Sequence, residues 1–101
     1  MKAVIAWWDL DGGGIDAASL RNSLWQEGIE AWAAVPGLVA KYWISDGSRW
    51  GAVMVFESEA AARQALPPNR AAELIGAPAP MRLTFDVEAF VSGPRGMTPW
   101  Q

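Results

Sequence analysis

A tight turn near the middle of the chain fixes more of the fold than any other feature. Asp46-Gly47-Ser48 separates two short apolar segments, LVAKYWIS at 38–45 and WGAVMVFE at 50–57. Each segment has the length and the β-branched and aromatic content of a strand, and so short a connection suits antiparallel neighbours. The sequence therefore predicts a β-hairpin at the centre of the protein.

A strand and a helix are predicted before the hairpin. KAVIAWW at 2–8 is a short apolar run that the glycines at 12–14 interrupt, and Asp16 is a suitable N-cap for the helix that follows. Pro36-Gly37 ends that helix. Helical periodicity predicts one packing stripe, with a second apolar flank beside it. The stripe contains Ala17, Leu20, Leu24, Gly28, Ala31 and Val35, and the flank contains Trp25, Ile29 and Trp32.

A helix and a strand are predicted after the hairpin. Ser58 is an N-cap candidate for the alanine-rich helix 59–66, which Pro67-Pro68 ends, and NRAAELIG adds a further helical turn. MRLTFDVEAFV at 81–91 predicts the last strand. The complete order is typical of the ferredoxin-like βαββαβ fold, an α+β fold whose four-stranded antiparallel sheet has both helices on one face. We expect one such domain over 1–93 and a surface tail over 94–101.

Composition excludes several classes of function. The net charge is −3 and no Lys/Arg cluster occurs, so nucleic-acid binding is not expected. Cysteine and histidine are absent, which removes thiol chemistry and the commonest general base and metal ligand. No 18-residue apolar run and no signal-peptide pattern occurs, so we expect a cytoplasmic protein that neither spans nor binds a membrane. We expect no metal and no organic cofactor.

Apolar residues make up 51% of the chain and charged residues only 19%, and seven residues are tryptophan. Such a surplus indicates that a partner subunit or an apolar ligand buries surface beyond the core of one subunit. Large side chains that fill a small core explain the tryptophans equally well.

Alternation along the strands predicts two sets of side chains on opposite sheet faces. Ala40, Tyr42 and Ile44 form an apolar set with Leu83, Phe85, Val87 and Ala89, and we expect it to pack under the helices. We expect the mixed set, Lys41, Trp43, Thr84 and Asp86, to line the bare face. There, Lys41 and Asp86 form either a structural ion pair or a proton-handling pair with displaced pKa values in a cavity.

The central part of the chain resembles the YdhR-type mono-oxygenase family. The similar segments are PGLVAKYWISDGSRWGAVMVFESEAAARQAL and TFDVEAFVSGP, which carry a K-x-W strand at Lys41 and Trp43 and an FDV motif at 85–87. The resemblance runs from about Val4 to Gly93. It implies a dimeric α/β barrel, in which two ferredoxin-like sheets close on each other and each subunit encloses an apolar pocket. It also implies a homodimer that acts on a small molecule.

Three functions suit an apolar pocket of this kind. The first is a cofactor-independent mono-oxygenase that acts on an aromatic or polyketide-like substrate, which itself becomes an electron-rich carbanion. The second is a cofactor-free cyclase, isomerase or lyase of secondary metabolism, which needs a similar cavity. The third is a non-catalytic protein that binds an apolar ligand. The candidate catalytic residues are Lys41 and Asp86, with Tyr42 and Glu57 as weaker candidates. The candidate pocket residues are Trp7, Trp8, Asn22, Trp25, Trp32, Trp43, Met54 and Thr84.

The loop in AWWDLDGGGID at 6–16 lacks the spacing of a phosphate-binding loop, because its glycines are consecutive and no Lys-Ser/Thr pair follows. It also lacks the glutamate that an EF-hand needs, since Leu20 occupies that position. Trp7 and Trp8 are neighbours on a strand, so one is expected under the helices and the other in the barrel. The three glycines suggest a lid over the pocket.

Overall fold

The computed structural model describes residues 1–11, 14–25 and 29–94. All strand neighbours are antiparallel, and the four-stranded sheet has the order β2-β3-β1-β4. These observations confirm the α+β class and the antiparallel sheet, and they are compatible with a ferredoxin-like fold. The elements are β1 (Lys2–Asp9), α1 (Ala17–Ser23), α2 (Ile29–Ala33), β2 (Leu38–Ser45), β3 (Arg49–Phe56), α3 (Glu59–Arg63), α4 (Arg70–Ile75) and β4 (Met81–Asp86).

Strand β2 has the bounds that the sequence predicts, whereas two other elements are shorter than predicted. Within the described residues, the first helical segment contains α1 and α2. Helix α3 ends at Arg63, and the next residue, Gln64, has an extended backbone. Strand β4 ends at Asp86, and 87–94 have no regular structure, although the Val87 amide still donates to the Met1 carbonyl. Most of the predicted tail, 95–101, lies outside the described residues.

Polar side chains begin three of the helices. The Asp16 carboxylate accepts from the Ser19 amide at 2.8 Å, and the Ser58 hydroxyl accepts from the Ala61 amide at 3.1 Å. The Asn69 side chain accepts from the amides of Ala71 and Ala72. Each contact satisfies an amide that the helix itself leaves unbonded, so the predicted caps Asp16 and Ser58 are confirmed.

Two apolar clusters lie between the helices and one face of the sheet. The first contains Trp8, Ala17, Leu20, Trp50 and Ala71, and the second contains Val4, Trp32, Met54 and Phe56. Trp43, which is half-buried, packs against both clusters and joins them.

The predicted sides of the sheet are inverted. Lys41 contacts Trp32 of α2, and Trp43 packs in the core, so the mixed set lies on the helix-covered face. The members of the apolar set that lie in strands, Ala40, Tyr42, Ile44, Leu83 and Phe85, are on the opposite face, where none of the four described helices covers them. Val87 and Ala89 follow the end of β4. Strand pairing on this opposite face forms three rows that contain no charged residue: Ala40-Val55-Ala3-Phe85, Tyr42-Val53-Ile5-Leu83 and Ile44-Gly51-Trp7-Met81. We call these rows the open face.

The inversion has a physical reason. Alternation correctly predicts which residues share a face, but it selects the covered face only when one face is clearly more apolar. Here both faces of the central strands are apolar. Lys41 is accepted on the covered face because aromatic rings surround its ammonium, and β4 lies at the sheet edge, where Thr84 and Asp86 remain exposed on the helix side.

The predicted helical stripe holds for α1 and fails in α2. Ala17 and Leu20 are buried as expected, but Ala31 is exposed and Trp32 is buried in its place. Gly28 of the predicted stripe lies outside the described residues. Burial of an indole removes far more apolar surface from water than burial of a methyl group, so α2 directs Trp32 to the core.

Candidate functional site

A narrow crevice lies on the covered side of the sheet, between β2 and β3 on one side and α1, α2 and α4 on the other. Its enclosed space is about 20 Å³, enough for about one water molecule. Its lining residues are Leu20, Ser23, Leu24, Trp32, Lys41, Trp43, Trp50, Pro68, Asn69, Arg70, Ala71 and Leu74.

Lys41 is the main chemical feature of this crevice. Its Nζ atom lies 3.2 Å from the ring centroid of Trp32 and 4.6 Å from that of Trp43. Within the described part of the chain, no carboxylate forms an ion pair with it. Burial lowers the pKa of Lys41 to about 7, because the ammonium loses its hydration. The two indole faces act in the opposite direction, since they attract the cation.

The polar side of the crevice is formed by α1 and the start of α4. Arg70 Nε donates to the Ser23 hydroxyl at 3.3 Å, and Arg70 Nη1 lies 3.6 Å from Glu73 Oε2. Asn69 uses its carbonyl oxygen as the cap of α4. Its amide NH2 and the Ser23 hydroxyl hydrogen are donors of the kind that orients a carbonyl oxygen.

Three of the predicted site residues meet here: Lys41, Trp32 and Trp43. Trp8 is in the core, where its Nε1 donates to the Ala77 carbonyl at 3.0 Å, and Met54 is buried in the second cluster. Trp7 lies on the open face, so one of the two tryptophans packs under the helices as predicted. The remaining three, Asn22, Trp25 and Thr84, are exposed and do not line the crevice.

Asp86 does not meet Lys41, and the predicted Lys41–Asp86 ion pair is wrong. Strands β2 and β4 are the two edges of the sheet, about 14 Å apart at the usual strand spacing. Asp86 instead accepts a hydrogen bond from the Lys2 ammonium. That bond holds the pKa of Asp86 below its ordinary value and raises the pKa of Lys2.

Sequence reasoning missed Ser23, Trp50, Asn69 and Arg70. Trp50 and Met54 are four residues apart on β3, so they lie on the same face of the sheet. Once the covered face is known, alternation therefore predicts that Trp50 points toward the core. The Pro-Pro-Asn-Arg segment at 67–70 marks a helix start, but nothing local shows that this start approaches α1, 47 residues away along the chain.

The glycine-rich loop borders a different place. Leu10, Asp11, Gly14 and Ile15 line an open depression together with the hairpin turn at 47–48, and the Leu10 amide donates to the Ser48 carbonyl. No described residue of this loop lines the Lys41 crevice. The lid proposed for the loop falls partly on Gly12 and Gly13, which lie outside the described residues, and it stays a prediction.

Over residues 1–11, 14–25 and 29–94, no cluster of three or more Asp, Glu, His or Cys side chains could hold a metal ion. In those same ranges, every helix is too short or too polar to cross a bilayer. Neither the protein-family models nor the curated proteins give a match to this chain. The similarity to the YdhR-type family therefore stays a prediction that rests on the quoted segments.

Proposed function

We propose that the protein is a small-molecule enzyme in which Lys41 acts as a general base on an apolar, aromatic or polyketide-like substrate, in the manner of a cofactor-independent mono-oxygenase. One observation carries the proposal: the Lys41 amine lies against two indole rings in a crevice, without a carboxylate partner in the described part of the chain. An amine whose pKa is near 7 is an effective base at neutral pH.

The proposed reaction uses this geometry as follows. Lys41 removes an acidic proton from an anthrone-like CH2 group, and the resulting ammonium stays between Trp32 and Trp43. The substrate carbanion supplies the electrons that reduce dioxygen. The CH2 carbon takes one oxygen atom as a carbonyl, and the other oxygen leaves as water with the two hydrogens. The polar donors of Ser23 and Asn69 stabilise the negative charge that develops on the substrate oxygen.

The crevice must widen to admit such a substrate. Its space is about 20 Å³, far less than an aromatic ring system occupies. Leu24 and Leu74 line it and are partly exposed, so they belong to its outer rim. We expect the substrate to enter by displacing these side chains.

The proposal includes a homodimer that closes into an α/β barrel. The open face supports it, because Tyr42, Leu83 and Phe85 are each about half exposed in a single subunit. Apolar patches of this extent on a soluble domain are typical of protein interfaces. A second copy brings an identical face, and the absence of charge in the three rows permits close contact.

Oxygen uptake with an anthrone or naphthol substrate tests the function. We expect uptake to rise with pH through about 7, and Lys41→Met and Lys41→Arg to reduce the rate by about 100-fold or more, because neither side chain is a base at neutral pH. The matched control is Lys2→Arg, which makes the same exchange at a lysine that does not line the crevice and keeps a cation beside Asp86. We expect this control to leave the rate unchanged.

Anaerobic incubation separates the reaction classes. A product of unchanged mass formed without oxygen, and lost in Lys41→Met, would show a cyclase or isomerase that uses the same base. Full activity in both Lys41 variants would contradict the site. Saturable binding without any product would instead indicate a ligand-binding protein.

A further inference from the structure

We propose that Lys41 is also a nucleophile, which forms an imine with an apolar aldehyde or ketone bound in the crevice. This inference rests on the proposed site and names the substrate class more closely, as a carbonyl compound. It adds a covalent step that general-base chemistry does not need.

The surroundings of the amine favour this step over permanent protonation. A lysine that is held as an ammonium by a carboxylate has no lone pair to donate, as is the case for Lys2 beside Asp86. Among the described residues, no carboxylate forms an ion pair with Lys41. Arg70 is the one other charged side chain that lines the crevice in the described part, and it forms an ion pair with Glu73 rather than with Lys41.

The indole rings of Trp32 and Trp43 can stabilise the Lys41 nitrogen both as an ammonium and as an iminium. The lone pair of Lys41 attacks the carbonyl carbon, and the carbinolamine then loses its oxygen as water together with the two hydrogens of the amine. The C=N bond that remains can take up a proton as an iminium. The indoles of Trp32 and Trp43, which now contact the ammonium, offer the same faces to that cation.

The size of the crevice limits which end of a substrate reaches the amine. A space of about 20 Å³ admits a group the size of a water molecule. The carbonyl end of a substrate can enter this space, and the remainder of the molecule then lies at the rim against Leu24 and Leu74. Ser23 and Asn69 then supply hydrogen-bond donors to the carbonyl oxygen as it becomes a leaving group.

Borohydride trapping on the intact wild-type protein tests the imine, and the chain provides its own control because it has only two lysines. The protein is incubated at pH 7 with benzaldehyde or acetaldehyde and with cyanoborohydride, and the secondary amines are located by proteolysis and mass spectrometry. We expect Lys41 to be labelled at least about 100-fold faster than Lys2, because the fraction of neutral amine differs by more than that. The α-amino group is mapped separately.

Labelling of Lys41 that is no faster than that of Lys2 would overturn the imine. If oxygen uptake or isomerisation is nevertheless lost in Lys41→Met, the base function stands and only the covalent step fails. If Lys41 is labelled selectively but Lys41→Met keeps full turnover, the proposed base function fails and the imine site stands. The Trp43→Leu variant gives a further check, since removal of one ring is expected to slow labelling at Lys41 and not at Lys2.

Discussion

Lys41 and Lys2 are the two lysines of the chain, and their surroundings are opposite. The Lys2 side chain is partly exposed to water, and the bond of its ammonium to Asp86 raises its pKa. Lys41 is half-buried, and burial lowers its pKa. The same side chain is thus a permanent cation on the inner strand β1 and a titratable base on the edge strand β2.

The low pKa of Lys41 predicts a pH-dependent penalty for the folded state. The folded pKa of about 7 lies below the ordinary value of 10.5, so between these values the unfolded chain binds more protons and stability rises with pH. The penalty is largest below pH 7, where burial of the ammonium costs several kcal/mol and attraction to the two rings offsets about 1–2 kcal/mol.

Lys41→Met removes this penalty while keeping an unbranched stem of similar length. We expect the free energy of unfolding to increase by about 2 kcal/mol at pH 6, and the increase to shrink as pH rises from 7 toward 10.5. Urea unfolding of both proteins over this range measures it. A difference that stays constant with pH would contradict the assigned surroundings of Lys41.

Gly51 of β3 lies opposite Trp7 of β1. A Cβ atom at Gly51 would overlap the Ala6 carbonyl oxygen and lie 2.7 Å from Trp7 Cβ. The glycine therefore allows the backbone of β1 at Ala6 and Trp7 to lie close to β3. This is a requirement of pairing between two strands, and no local pattern in β3 alone indicates it.

Gly51→Ala is expected to lower the free energy of unfolding by about 2–3 kcal/mol, because the added methyl group forces the two central strands apart. The matched control is Gly14→Ala, since a Cβ atom at Gly14 meets nothing within 4 Å and its φ is not positive. Thermal and urea unfolding of the two variants measure the difference. Equal stability of the two variants would show that β1 and β3 do not pair in this register.

The two faces of the sheet differ in chemistry, so one face can bind a substrate while the other binds a second subunit. The covered face holds the core and the Lys41 crevice, and the open face offers three charge-free rows. If a second copy covers the open face, the crevice remains on the outside of that contact. Dimer formation and chemistry are then expected to be separable by mutation.

Phe85→Asp places a charge within the open face and is expected to weaken the dimer by about 100-fold, because the carboxylate loses its hydration on association. Thr84→Asp is the matched control, since it introduces the same group on the adjacent residue, on the other side of β4. Sedimentation measures both. A monomeric wild-type protein, or equal effects of the two substitutions, would contradict the proposed interface.

Sequence reasoning predicted the hairpin, the order of strands and helices along the chain and the pairing of Lys41 with Trp43 on one face. Local signals carry these features: the Asp46-Gly47-Ser48 turn, the caps and the alternation along β2. It placed those residues on the wrong side, because both faces of the sheet are apolar. Lys41 and Asp86 were predicted to form a pair because they carry opposite charges on the same face. The strand order instead places them on opposite edges of the sheet. The approach of Arg70 to Ser23 depends on how α1 and α4 pack, which no local pattern determines.

The central claim is that Lys41 is a base near neutral pH, and an NMR titration of the lysine side chains tests it most directly. With ¹³C-labelled lysine, the chain gives two Cε signals, which Lys41→Arg assigns. We predict that the Lys41 signal titrates near pH 7 and that the Lys2 signal titrates above 10.5. Two signals that both titrate above pH 10 would contradict the proposed chemistry of the crevice.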